Sequence, residues 1–122
     1  MQVYLTKWMA RFIRREQIAR ASLREAVERA ERGLIDADLG GGLIKQRVAR
    51  LGKGRSGGYR TIIAYRRAGR AVFLFGFAKS ERENIEPDEL AELRKIGLNW
   101  LNASTETISE ALDEDSLEEI VP

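Results

Sequence analysis

The sequence predicts a small α+β protein in which a helical hairpin and a C-terminal helix pack on a mostly antiparallel sheet of about four strands. Three observations carry this. Apolar residues recur at helical spacing in the first third of the chain and again over residues 87–101. Past the glycine run Gly40-Gly41-Gly42 the period changes from helical to alternating. A length of 122 residues suffices for one modest core and is too short for two.

Taken in order, Gln2 to Leu5 is rich in strand formers and reads as a short first strand. From Thr6 to Glu16, Trp8, Met9, Phe12 and Ile13 fall on one side of a helix, with Lys7, Arg11, Arg14 and Arg15 elsewhere. Ser22-Leu23-Arg24-Glu25 is a capping-box pattern, so the second helix is expected to begin at Ser22. Leu23, Ala26, Val27 and Ala30 form its stripe, and Gly33 stands where a left-handed terminating residue is wanted.

Leu43 to Ala49, Tyr59 to Arg67 and Ala71 to Lys79 read as strands, the last two joined by a turn at Ala68-Gly69. Val72 to Ala78 is apolar on both faces, which marks a central strand. Ser80-Glu81-Arg82-Glu83 offers another capping pattern, and Pro87 suits the first turn of a helix whose packing stripe is Leu90, Leu93, Ile96, Trp100 and Leu101. Residues 1–101 are thus the expected domain. Residues 102–122 are an acidic segment, partly ordered or docked on that domain through Ile108, Leu112, Leu117, Ile120 and Val121.

Composition narrows the chemistry. With 43% hydrophobic and 33% charged residues the chain is expected to fold. It has no apolar run of about 18 residues for a membrane span, and Met1 leads into Gln2-Val3-Tyr4-Leu5 without a signal-peptide pattern, so a cytoplasmic location is expected. Cys and His are both absent. That removes disulfides, thiolate zinc sites, Ser-His-Asp and Cys-His nucleophiles and any imidazole acid or base. No cofactor and no metal are expected, and an enzyme of this composition must work with Lys, Arg, Tyr, Asp or Glu.

The net charge of +2 conceals a division: residues 1–80 hold 18 Lys+Arg against 6 Asp+Glu, and residues 81–122 hold 3 against 13. Such asymmetry points to a polyanion-binding part with an acidic tail, the alternative being a surface merely solvated by long arginines. Gly52-Lys53-Gly54-Arg55-Ser56-Gly57-Gly58 reads as a basic loop that offers Lys53 and Arg55 to RNA. It is not a phosphate loop of the Walker type, because Gly52-Lys53 is followed by Gly54 and a strand rather than a helix follows. Strand alternation puts Lys45 and Arg47 on one face, with Arg60 similarly placed at the start of its own strand. Tyr59 and Tyr65 supply rings for base stacking, unless they belong to the core. Lys79 and Arg82 stand just beyond the central strand, where Arg82 has Glu81, Glu83 and Glu86 as alternative ion-pair partners. Glu81, Glu83, Glu86 and Asp88 could also be read as paired glycosidase-like carboxylates, although acidic residues gather at helix starts for dipole reasons alone.

The order strand, helical hairpin, three strands and terminal helix, with Gly58-Tyr59-Arg60 and Phe77-Ala78-Lys79-Ser80-Glu81-Arg82, resembles the RelE/ParE toxin superfamily. Within it, residues 34–42 (LIDADLGGG) and 53–61 (KGRSGGYRT) are similar to the HigB-like branch of RelE relatives, and the resemblance runs from about Gln2 to Leu101. It implies a RelE-like fold and a toxin of a type II toxin–antitoxin pair that cuts messenger RNA on the ribosome. The implied partners are the ribosome, the message and a cognate antitoxin, in this branch often a helix-turn-helix repressor. Carried over position by position, the family's catalytic cations resemble Lys45, Arg47, Arg60, Lys79 and Arg82. The sequence departs from the RelE type in having Ser80 where an arginine stands and Glu86 near a catalytic tyrosine.

A mechanism compatible with the missing His is metal-independent attack of a ribose 2′-hydroxyl on the adjacent phosphate, with Arg60 and Arg82 stabilising the transition-state charge. Lys45 or Lys79 is the expected base or acid, a role lysine takes where positive neighbours and burial make it less basic. Two other functions fit the same residues: a ParE-like inhibitor of DNA gyrase, and a nonenzymatic RNA- or ribosome-binding module.

Overall fold

In the structure, a computed structural model that describes residues 1–50 and 58–121, the first strand enters the interior of the sheet at once, with a neighbour on each side. Strand β1 (Gln2–Thr6) is followed by helices α1 (Lys7–Glu16) and α2 (Arg20–Glu31), strands β2 (Ala37–Gly40), β3 (Leu43–Val48), β4 (Tyr59–Arg66) and β5 (Arg70–Ala78), helices α3 (Pro87–Asn102) and α4 (Thr105–Asp113), and strand β6 (Leu117–Glu119). The six strands lie in the order β2-β3-β4-β5-β1-β6. β1 runs parallel to β5, with Leu5 opposite Phe73, and every other neighbouring pair is antiparallel.

The α+β class and the mostly antiparallel sheet are those the sequence predicts, but the sheet has two more strands than expected. β2 is Ala-Asp-Leu-Gly and β6 is Leu-Glu-Glu. Neither carries the alternating apolar signal of a strand, and both are held by pairing to a better neighbour. The acidic C-terminal residues fold as α4 and β6, and β6 pairs with β1 at the sheet edge remote from β3.

Each helix start has a local cause. The hydroxyl of Thr6 accepts the N–H of Met9 at 3.2 Å and caps α1. α2 begins at Arg20, two residues before the expected Ser22, and Ala19 at its cap makes no side-chain bond. The chain leaves α1 through Gln17 at φ 57 and turns directly into the next helix, so Ser22 already donates to the Ala19 carbonyl within its first turn. Similarly, Ser80 caps nothing: the N–H groups of Glu81 and Arg82 both reach the Ala78 carbonyl in a turn, and α3 starts at Pro87. There the Glu89 carboxylate accepts the N–H of Glu86 at 3.0 Å.

Two apolar layers sandwich the sheet. Leu5, Met9, Phe12, Leu23, Ile44, Ile63 and Phe73 fill the layer under α1 and α2. Leu43, Ile62, Ala64, Leu74, Leu101, Ile108 and Leu117 fill the one under α3 and α4. β5 is buried on both faces, the reason for its unbroken apolar run. In α3 the expected stripe residue Ile96 is exposed, and Gly97 meets the sheet instead. A Cβ at Gly97 would lie 2.9 Å from Leu43 Cδ2 and 3.1 Å from Ala64 Cβ, so the missing side chain sets how closely α3 approaches.

Candidate nucleic-acid interface

Strand register decides which cations meet. Arg47 on β3 stands directly opposite Arg60 on β4, and Arg60 stands opposite Phe77 on β5. Paired residues project to one face, so the three form a row across three strands. Lys45, two residues before Arg47, points to the same face and is half-buried opposite Ile62. This is the α3 side of the sheet, at the end where the strands run past the helix.

Phe77 recruits the fourth cation. The turn after β5 brings the Arg82 guanidinium over the Phe77 ring, 5.3 Å from its centroid. Its partner is Glu89 on α3, and not Glu81, Glu83 or Glu86: Nη2 lies 2.6 Å from Oε1 and Nη1 3.2 Å from Oε2, while Nε donates to the Asn84 carbonyl at 3.0 Å. The bond to Glu89 raises the Arg82 pKa further, and the same bond holds the Glu89 carboxyl below the usual carboxylate range. Lys79 is exposed at the end of β5, and its backbone N–H reaches the Gly58 carbonyl at 3.2 Å, one step beyond the β4–β5 ladder.

Arg47 is steered from its other side. Its backbone N–H donates to Asp36 Oδ2 at 2.7 Å, and its Nε lies 3.6 Å from the same oxygen. Arg29 of α2 shares Asp36 at 3.5 Å, binds Glu25 at 2.6 Å and donates to the Arg47 carbonyl. A cleft of about 370 Å³, with Glu25, Arg29, Arg47, Val48, Gly58 and Arg60 in its walls, opens at these strand ends. Among the described residues Lys45, Arg60 and Lys79 form no ion pair. Lys53 and Arg55 lie outside the described residues.

The two tyrosines chosen for stacking are placed elsewhere. Tyr59 is 1% exposed, edge-on to Phe12 at 5.7 Å, with its hydroxyl donating to Glu16 at 3.2 Å, so it has no free face for a base. Burial, and then the Glu16 bond, push its pKa up. Tyr65 lies five residues from Arg60 on β4, roughly 17 Å along the strand, and belongs to the opposite face under α2. Its hydroxyl bonds Glu31, and burial together with that bond lifts its pKa to about 12. Both rings are core, because an odd position on β4 faces the hairpin.

Sequence reasoning missed Asp36, Gln46, Phe77 and Glu89. Gln46 left a signal: it occupies an inward position between Ile44 and Val48. It is fully buried, its amide donates to the carbonyls of Ala26 at 3.0 Å and Leu34 at 3.1 Å, and its Oε1 accepts the Asp36 N–H at 2.7 Å.

Much of the remaining arginine is structural. Arg70 Nη1 binds the carbonyls of Trp100 and Ala103, each at 2.8 Å, and Arg66 binds the carbonyl of Leu101 and the side chain of Asn102, each at 2.9 Å. α3 has no basic residue in its own last turn, so the β4–β5 hairpin supplies the positive charge that a helix C-terminus favours. Arg14 and Arg20 clamp Glu118 of β6 at 3.1 and 2.7 Å, and these bonds lower the Glu118 pKa, the one from Arg20 most. The acidic tail thus lies away from the basic cleft: β6 carries its charge to the arginines of α1 and α2, on the other edge.

With the geometry in place, comparison with known families is decisive. Residues 1–120 match the family described as the RelE toxin of the RelE/RelB toxin–antitoxin system. The chain belongs to the RelE toxin family. It is accordingly a toxin of a type II toxin–antitoxin system, and the partner its family implies is a RelB-type antitoxin. No curated protein matches the chain. Among the described residues of this RelE-family toxin, no helix is long and apolar enough to cross a membrane. Chemically, its row of guanidinium and ammonium groups can neutralise a phosphodiester and the extra charge that gathers on it when a fifth oxygen approaches.

Proposed function

We propose that this RelE-family toxin is a ribosome-dependent mRNA endonuclease of the HigB-like branch, which arrests translation and is neutralised by a helix-turn-helix antitoxin. The observation that carries the reading is the pairing of Arg47 with Arg60 beside Phe77 and Arg82 on one face at one end of the sheet. Like charges set directly opposite each other on neighbouring strands oppose folding, so their juxtaposition calls for an anion that both can bind.

Cleavage runs through the ribose. A base removes the 2′-hydroxyl proton, the 2′-oxygen forms a bond to the adjacent phosphorus, and the bond from phosphorus to the 5′-oxygen breaks. The departing oxygen takes a proton, leaving a 2′,3′-cyclic phosphate and a 5′-hydroxyl. No redox change and no added nucleophile are needed. Arg60, with Arg47 and Arg82, holds the charge on the phosphate oxygens, and Lys45 or Lys79 moves the protons.

The test is to express the toxin alone in growing cells and map message ends on ribosomes. New ends that disappear with Arg60→Ala, at a loss of about 100-fold in cleavage rate, are expected. Arrested translation without new ends would leave a nonenzymatic ribosome binder, and intact messages with broken DNA would indicate a gyrase poison.

A further inference from the structure

We propose that Glu89 is an internal stand-in for the RNA phosphate: it holds the Arg82 fork in place while the site is empty and surrenders it to a phosphodiester when RNA arrives. The inference rests on the nucleic-acid reading of the Arg82 face and adds to it a positioning residue on α3.

The Nη1/Nη2 fork of Arg82 is already occupied. Nη1 and Nη2 are taken by the two oxygens of Glu89 at 3.2 and 2.6 Å, Nε by the Asn84 carbonyl at 3.0 Å, and one face of the guanidinium by Phe77. A planar fork that grips a carboxylate through two parallel bonds grips a phosphate in the same way. A two-bond grip on an RNA phosphate by that same fork therefore requires exchange of one anion for the other. Phe77 and Asn84 stay where they are during that exchange, so the guanidinium keeps its plane and its place beside Arg60. With its side chain 31% exposed, Arg82 is open to the incoming ligand, and Glu89 at 39% has water to receive it.

Glu89 has a second bond that makes the idea separable from plain structure. One of its oxygens also accepts the N–H of Glu86 and caps α3. Glutamine serves that capping position as well as glutamate does. Glu89→Gln thus retains the cap while it removes the charge that competes with phosphate and, by turning one acceptor oxygen into an amide donor, breaks the two-bond grip on Arg82.

The experiment compares wild type, Glu89→Gln and Glu89→Asp in two assays. The first is affinity for a single-stranded RNA oligonucleotide blocked by 2′-O-methylation, and the second is the cleavage rate at saturation on ribosomes carrying a message. Loss of the competing charge is expected to tighten oligonucleotide binding by about 5-fold, while loss of the fork's guide lowers the saturated rate by about 10-fold. Glu89→Asp, which keeps the charge, is expected to restore part of the rate. These opposite movements are not produced by a merely structural residue. Unchanged binding overturns the proposal, and so does a joint loss of binding and rate that follows a fall in melting temperature. Should wild type fail to cleave, the nuclease reading falls by itself and the oligonucleotide arm still decides the role of Glu89.

Discussion

Gln46 and Asp36 hold one another in a reciprocal arrangement: the buried amide oxygen of Gln46 accepts the Asp36 backbone N–H at 2.7 Å, and the Asp36 carboxylate accepts the next backbone N–H, that of Arg47, at 2.7 Å. The pair joins α2, the start of β2 and β3 at one point, and Arg47 is oriented as a result. Gln46→Leu fills the same space but orphans the Asp36 N–H and the Leu34 carbonyl. It is expected to cost about 2–4 kcal/mol, read as a lower denaturation midpoint in urea. A midpoint within experimental scatter of wild type would show that the amide is dispensable.

Tyr65 and Glu31 give the fold a bounded pH range. The Tyr65 pKa is raised from 10.0 to about 12, so its contribution is present below pH 10 and is lost as pH climbs through 12. For Glu31, burial works against the shift, but the bonds from Tyr65 and from the Ala68 N–H prevail and depress the carboxyl. Its contribution is present above about pH 4.5 and is lost as pH falls. Tyr4 and Tyr59 are shifted upward too, by burial first, and add to the alkaline limb. Thermal melts of Tyr65→Phe across pH 8–12 are expected to show a shallower alkaline fall than wild type. An unaltered slope would dismiss this pair as its source.

Glu118 should matter more to salt and acid than to stability at neutral pH. Its two guanidinium partners are 60% and 45% exposed, which limits the pairs to about 1 kcal/mol or less each. The lowered Glu118 pKa places its contribution above the ordinary carboxylate range, with loss as pH drops. In Glu118→Gln, the peptide bonds after Asp113 are expected to become several-fold more sensitive to protease at low salt, and the difference from wild type should vanish near 1 M salt. A difference that persists at high salt would mean that charge pairing is not what retains β6.

Gly97→Ala drives a methyl group into Leu43, Ala64 and Leu74, all of them sheet residues. Backbone shift or rotamer strain of about 1–3 kcal/mol is expected, outweighing the gain in helix propensity of about 1 kcal/mol. Calorimetry that found the alanine protein more stable would show that α3 has room to move away from the sheet.

Legibility in the sequence followed the range of the interactions. α1, β3, β4, β5 and the body of α3 were readable because their apolar spacing is itself the local signal. The start of α2 was misplaced because Ser22-Leu23-Arg24-Glu25 has the composition of a cap without the geometry, the turn at Gln17 having already launched the helix. β2 and β6 had no periodic signature because pairing partners stabilise them. At the candidate site, strand alternation put Lys45 and Arg47 on one face, but only register shows Arg60 opposite Arg47 and Phe77 opposite Arg60. The partner of Arg82 was sought among its sequence neighbours, yet the turn at Ala78 carries it to Glu89. The structural use of Arg66 and Arg70 has no local signal because the carbonyls that employ them lie in α3, remote in sequence.

The place of β1 bears on how the toxin comes into being. Its outer neighbour is β6, so Tyr4, Leu5 and Thr6 find their partners in Glu119, Glu118 and Leu117, far along the chain. A nascent chain can form hairpins from β2 to β5 as it emerges, but the outer edge of β1 stays bare until β6 has been made. Assembly is thus weighted toward a late, long-range closure, which is the slow kind. A toxin with this topology completes its sheet only once β6 has been made.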